Sequence, residues 1–273
     1  MRISLIIFGL ILLGLFWCFY GDESIHIAQY FTERSSLTIQ EAGAWGDSFG
    51  AFNALVSTIA AGAVVVTLFL QQRSIRSQEK DLHRQRFESN FFELLRLMRE
   101  LRSEIRFRHT KQYATAKKSA GKVVNSTVDL PGIEHKGVVG IDRALAELLF
   151  WHAEYANRGP LNRIIIGNIY DEKVGKINEY SISPYFRMIY TLLYRVSNDG
   201  VLSEYEKQQY GNLVRSQLTS RELHLIAYNA CSGVSKDLTQ YIEKFRLFKY
   251  MRSSAGRRRI EGFFKSVAFE KRT

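Results

Sequence analysis

Two stretches of the chain are predominantly apolar. Residues Ile3 to Tyr20 read ISLIIFGLILLGLFWCFY and Phe49 to Leu70 read FGAFNALVSTIAAGAVVVTLFL, neither holding a charged residue. A helix needs about 20 apolar residues to cross roughly 30 Å of hydrocarbon, so the pattern predicts membrane helices over about 3–20 and 49–70. A cleaved leader is the competing reading of the first. Its basic start is Arg2 alone, however, and bulky Phe16, Trp17, Phe19 and Tyr20 stand where a small-residue cleavage site belongs. Beyond Gln71 the period changes. Phe87, Phe91, Leu94, Leu95, Met98, Leu101 and Ile105 recur at helical spacing, so one face of an amphipathic helix is buried. The stripe Phe87, Phe91, Phe92 reads as core rather than as a stacking platform for bases.

The rest of the chain also reads as helix. Residues 109–139 are rich in Lys, Ser, Thr and Gly and predict a loop. A helix follows from Ile141 to Ala156 with Leu145, Leu148, Leu149 and Trp151 inward, and Arg163–Ile166 suits a short strand or a turn of buried helix. Ser183 and Pro184 look like the N-cap and first turn of a helix that buries Phe186, Ile189, Leu192, Leu193 and Val196 and stops at Gly200. Two capping boxes come next, Ser203 with Glu206 and Thr219 with Glu222. The second opens a helix burying Leu223, Ile226, Ala227 and Ala230, which leaves Arg221 and His224 facing solvent. Arg215, Gln217, Tyr228 and Asn229 are left to fasten the turn between the two helices. A last helix carries Leu238, Ile242, Phe245 and Leu247. The fold class is mainly α, a two-helix transmembrane hairpin followed by a helical domain.

Charge sets the expected orientation. The connector 21–48 holds Asp22, Glu23, Glu33, Glu41 and Asp47 against Arg34, whereas Arg73, Arg76, Lys80, Arg84 and Arg86 follow the second apolar stretch. Lys and Arg stay on the cytoplasmic side. The N-terminus and everything after Gln71 are therefore expected inside the inner membrane, with the acidic loop outside. The whole chain has a formal charge of +11, and the surplus belongs to the domain after Gln71, which suits anionic lipid headgroups or nucleic acid. Arg257, Arg258 and Arg259 are the candidate contacts, in a solvated tail or at a headgroup surface. Small residues Gly50, Ala54, Thr58 and Gly62 recur every fourth position and form a packing stripe for the first helix or for a second copy. Two cysteines and six scattered histidines form no disulfide framework and no metal site. Gly121-Lys122 lacks the other residues of a phosphate loop, and no cofactor is expected. The carboxylates Asp142, Glu147, Glu154, Asp171, Glu172 and Glu206 are too dispersed for a nuclease metal site.

The segments RFESNFFELLRLMREL (86–101), SPYFRMIYTLLYRV (183–196), YGNLVRSQLTSRELHLIAYNACSG (210–233) and YIEKFRLF (241–248) together resemble the AbiC-like family of phage abortive infection proteins. Many relatives carry a histidine and a longer polar tract in the first motif, where this chain has Arg96-Leu-Met-Arg99. The resemblance implies bacterial defence against phage by a chain with a paired-helix anchor, and it supplies no catalytic residues. Arg215, Gln217, Glu222, Tyr228 and Asn229 are the candidate functional residues of the motif. The chain accordingly divides into a membrane anchor (1–70), a helical AbiC-like domain (71–250) and a basic C-terminal tail (251–273). A non-enzymatic defence protein at the inner membrane is the leading expectation, with the bilayer, a further copy and a phage component as partners. The alternative is a nucleic-acid-binding or nuclease-like defence protein using the basic domain.

Overall fold

The computed structural model describes residues 26, 28–31, 38–47, 50–125 and 129–270. The expected first membrane helix, 3–20, lies outside the described residues, as does most of the acidic connector. The chain divides into two compact units, Met1–Gln78 and Glu79–Thr273. In the first unit the connector contains a helix, α1 (Ile39–Asp47), which the sequence reading left as loop; Thr38 and Glu41 cap its start, with Glu41 Oε2 accepting from the Thr38 amide at 3.0 Å. Helix α2 (Gly50–Glu104) begins there and continues into the second unit. Among the described residues it alone is long and apolar enough to cross a membrane, and none of its apolar stretch is buried. Leu55, Ile59, Val64, Leu68 and Phe69 are all exposed, as are Gly50, Ala54, Thr58 and Gly62 on the small-residue stripe.

The second unit is mainly helical. It contains α2 from Glu79 on, α3 (Lys111–Ser119), α4 (Gly137–Ala156), α5 (Arg163–Tyr170), α6 (Glu179–Asn198), α7 (Glu204–Ser216), α8 (Ser220–Cys231), α9 (Leu238–Lys244) and α10 (Ala255–Ile260). The expected loop 109–139 is more ordered than its composition suggests. Besides α3, whose N-cap Thr110 accepts from the Tyr113 amide at 3.1 Å, it supplies one edge of a two-stranded antiparallel ribbon. Strand β1 (Arg106–Arg108) pairs with β2 (Glu134–Lys136), Phe107 opposite His135, and Phe107 is fully buried. Of the two readings of Arg163–Ile166, helix holds.

Helix α8 occupies the middle of the unit. Every residue from Glu222 to Cys231 is buried, so this helix is enclosed on all faces rather than on one. Helices α4, α5, α9 and α10 pack around it. Gly167 of α5 makes the closest approach, since a methyl group there would overlap the carbonyl of Cys231. Phe91, Leu95 and Met98 of α2 join the same core, where Phe87 and Phe91 meet the ring of Tyr210 at 5.0 and 4.8 Å; Phe92 is exposed instead.

Two sequence expectations are corrected. Helix α6 starts at Glu179, not at a Ser183 cap, and Pro184 sits inside it. Proline removes the donor that would reach the carbonyl of Tyr180; Tyr180 is exposed, so water can take that bond. His224 is buried rather than solvent-facing, because α8 is enclosed from Glu222 onward; its Nδ1 lies 2.6 Å from the Ser220 carbonyl and its Nε2 3.3 Å from Ser254 Oγ. Arg221 is exposed, as expected, and pairs with Asp142 at 3.0 Å. Residues 251–270 do not trail free: Met251, Ile260, Phe264, Ala268 and Phe269 are part of the core.

Candidate functional site

The five motif residues hold five separate places around α7 and α8. Both capping boxes form as read, which fixes the start of each helix. Arg215 is buried and donates from Nη1 to the carbonyls of Phe245 and Arg246 at 3.1 and 3.3 Å, with its guanidinium over Tyr250. Arg246 has φ 49, a left-handed conformation unusual for a residue with a side chain, and Arg215 holds that turn. Gln217 accepts from Arg99 Nε through its side chain (3.1 Å) and from Arg102 Nη1 through its carbonyl (2.8 Å), so it binds α7 to α2 within the second unit.

Glu222 does two jobs. Its Oε2 accepts from the Thr219 amide at 2.7 Å, closing the capping box, and its Oε1 accepts from the Tyr185 hydroxyl at 2.5 Å with Arg102 Nη1 at 3.5 Å. Burial and the neighbouring carboxylate hold the Tyr185 phenol well above its ordinary pKa, so it stays a donor. The Tyr228 hydroxyl is hydrogen-bonded to Nδ1 of His152 at 2.9 Å. Burial, aided by the charge of Arg259, lowers the His152 imidazole to about 4 and keeps it neutral. These contacts carry no open substrate position, and the reading of the motif as fastening rather than chemistry fits four of its five residues.

A second buried cluster escaped the sequence. Glu147 is fully enclosed and accepts from His109 Nδ1 (2.8 Å), the Thr110 amide (3.2 Å), Thr110 Oγ1 (2.5 Å) and Trp151 Nε1 (3.3 Å). A carboxylate can accept about four such bonds, so this one is saturated. It anchors the ribbon and α3 to α4, and its enclosure leaves no room for a substrate.

Asn229 is the exception among the motif residues. It lines a cavity of about 560 Å³, together with Tyr170, Asp171, Phe186, Tyr190 and Leu238. A ligand pocket of a few hundred cubic ångströms is of this size. A π-helical turn (Asp171–Gly175) forms one wall; such turns are often found at functional sites. Gly175 permits it, since a Cβ there would stand 2.9 Å from Tyr170 Cε1. Ser232 donates to Asp171 Oδ2 at 3.0 Å, and Ser232 is also bonded through its amide to the carbonyl of Asn229. The amide Oδ1 of Asn229 is buried without a partner. Lys176, Glu179, Arg187 and Asp237 stand around the opening. Sequence spacing gave no hint of this cavity: its lining comes from two separate stretches, 170–190 and 229–238. Among the described residues no group of His, Cys, Asp and Glu could hold a metal ion.

The arginine run is engaged. Arg257 donates to the Met251 carbonyl (3.3 Å) and to Glu261 (3.0 Å); Arg259 reaches the Leu149 carbonyl (3.4 Å) but is exposed, as is Arg258.

Residues 177–255 match a family model described as "Putative phage abortive infection protein". That span covers α6 to the turn after α9, under a third of the 273 residues, and includes Asn229 and most of the cavity lining. It bears out the resemblance drawn from 183–196, 210–233 and 241–248. No curated protein and no solved structure matches the chain.

Proposed function

We propose that this chain, carrying the phage abortive infection pattern over residues 177–255, is a membrane-anchored defence protein whose helical domain works at the cytoplasmic face of the bacterial inner membrane. The family match is the observation that carries the defence reading. The anchor rests on two uncharged stretches and on the exposure of the apolar part of α2, a surface that in water would be a large unpartnered patch and in lipid is solvated. Orientation rests on the cations Arg73, Arg76, Lys80, Arg84 and Arg86 after that stretch, against the acidic connector before it. The stripe Gly50, Ala54, Thr58 and Gly62 suits close packing with the first apolar helix or with a second copy. The domain acts as sensor or effector without chemistry of its own: most of its buried polar groups are spent on packing. The nucleic-acid alternative is less favoured, because Arg257 is engaged with the domain itself through the Met251 carbonyl and Glu261.

The test is plating efficiency. A susceptible host expressing the chain should plate at least one phage of a broad panel with about tenfold or greater loss, and sodium carbonate washes should leave the chain in the membrane fraction. Equal plating of every phage would remove the defence reading. Release into the aqueous fraction would remove the anchor.

A further inference from the structure

After Leu70 the sequence of α2 turns polar, yet Ile75 and Leu82 stay exposed, seven residues apart and in step with the exposed Leu68. Gln71, Gln78 and Gln85 stand three positions after them and are exposed as well. Steps of three and four thus alternate, which is the seam of a left-handed coiled coil with aliphatic residues at one position and glutamine at the other. The same line runs back through Val64, Ala61 and Ala54 and forward to the exposed Phe92. The domain packs on the other side of the helix. His83 meets Asp199 at 2.8 Å, Arg84 meets Glu206 at 3.1 Å, and Phe87 meets the ring of Tyr210 at 5.0 Å. At about 100° per residue these three lie across α2 from the seam, which the described residues leave open.

An identical helix is the occupant that fits. In a parallel pair Leu68, Ile75 and Leu82 meet their own copies at the same height. Equal glutamines bond across the two-fold axis, because an amide both donates and accepts. Gln78 donates to Ser74 at 3.2 Å on its own helix and keeps a second N–H and a carbonyl to offer. The flanking charges agree: Asp81 falls opposite Arg86 of the second copy, the contact between neighbouring heptads that sets orientation. Arg86 is exposed, and Asp81 touches Arg84 at 3.7 Å, which is itself turned towards Glu206.

We propose that α2 pairs in parallel with α2 of a second copy of this chain, along Leu68, Gln71, Ile75, Gln78, Leu82 and Gln85. This rests on the anchor reading, since one bilayer gives both copies one orientation. It makes the second copy, rather than the first apolar helix, the partner of α2 beyond the membrane.

Cysteine cross-linking of the full chain in membranes tests it, in a Cys18→Ser background where the remaining Cys231 is buried. Under mild oxidant Gln78→Cys and Gln85→Cys should each form a disulfide-linked dimer about tenfold faster than Lys80→Cys, which points away from the seam, because a disulfide needs its Cα atoms within about 7 Å. Ile75→Lys with Leu82→Lys should abolish the link at position 78 while leaving the melting temperature in place, since neither side chain belongs to the core. Asp81→Arg should slow linking about fivefold, the upper worth of an exposed ion pair, and adding Arg86→Asp should restore it. Equal linking through Lys80→Cys, none through either glutamine position, or an undiminished link in the double lysine variant would each overturn the pairing. Release of the chain by carbonate removes the anchor, whereas a chain that stays in the membrane and does not link removes the pairing alone.

Discussion

Glu222 shows how one side chain can serve both a helix end and a core. It caps α8 through Thr219 and takes the Tyr185 hydroxyl and the Arg102 charge in a site with no exposure. Removing it strands both partners. Glu222→Ala is therefore expected to cost about 3–5 kcal/mol, as for breaking a buried charged pair, while Thr219→Ala, which loses one capping bond, should cost about 1 kcal/mol; denaturant titration of the full chain in detergent measures both. His152 sets a pH dependence of definite sign. Its folded pKa, about 4, lies below the ordinary 6.5. Between those values the unfolded chain binds a proton that the folded chain refuses, so stability falls as pH drops through that window and is unaffected above it. His224, lowered in the same direction by burial, adds to the effect. Melting scans from pH 7 to 4 should show a shallower decline in His152→Gln, where the amide can still accept from Tyr228; an unchanged slope would mean that His152 is protonated in the fold.

At the level of elements, close approach rather than hydrogen bonding sets α5 against α8. Gly167→Ala drives a methyl into the Cys231 carbonyl and should cost about 1–3 kcal/mol. Gly200→Ala, at a position with nothing within 4 Å, should change stability by no more than about 0.5 kcal/mol. Equal effects in the two variants would refute the tight contact. The capping boxes, the inward face of α6 and the register of apolar residues on α2 were all legible in the sequence, because each is fixed by residues three or four apart. The burial of His224 was not. Whether a helix is covered on one side or on all depends on α4, α5 and α10, which come from distant parts of the chain. Pro184 misled for a local reason: a proline usually marks a first turn, yet it sits further in here, one turn after the exposed Tyr180. The cavity was illegible because Tyr170, Phe186, Asn229 and Leu238 lie on different elements, and the sequence reading had set Asn229 to fastening the turn between two helices.

For the molecule as a whole, the stretch 251–270 is a closing piece of the second unit. Ending the chain after Tyr250 would take away Ile260, Phe264, Ala268 and Phe269 and uncover the ring of Phe248, which meets Phe264 at 5.0 Å and Phe269 at 5.3 Å. Such a truncation is expected to lose its cooperative melting transition and to be cut rapidly by added protease; a sharp transition near that of the full chain would show that the core closes without the stretch. Arg163 makes the dependence specific. Its guanidinium donates to the carbonyls of Phe263 and Ala230 and to the Thr239 hydroxyl, gathering segments up to 100 residues apart. Contacts of such long range form late, after the loops between them have been closed. A ribosome that has made everything through α8 has therefore produced a chain whose central helix still lacks its cover. During that interval the nascent domain depends on chaperones or on the speed of translation to keep its interior from being captured by other chains.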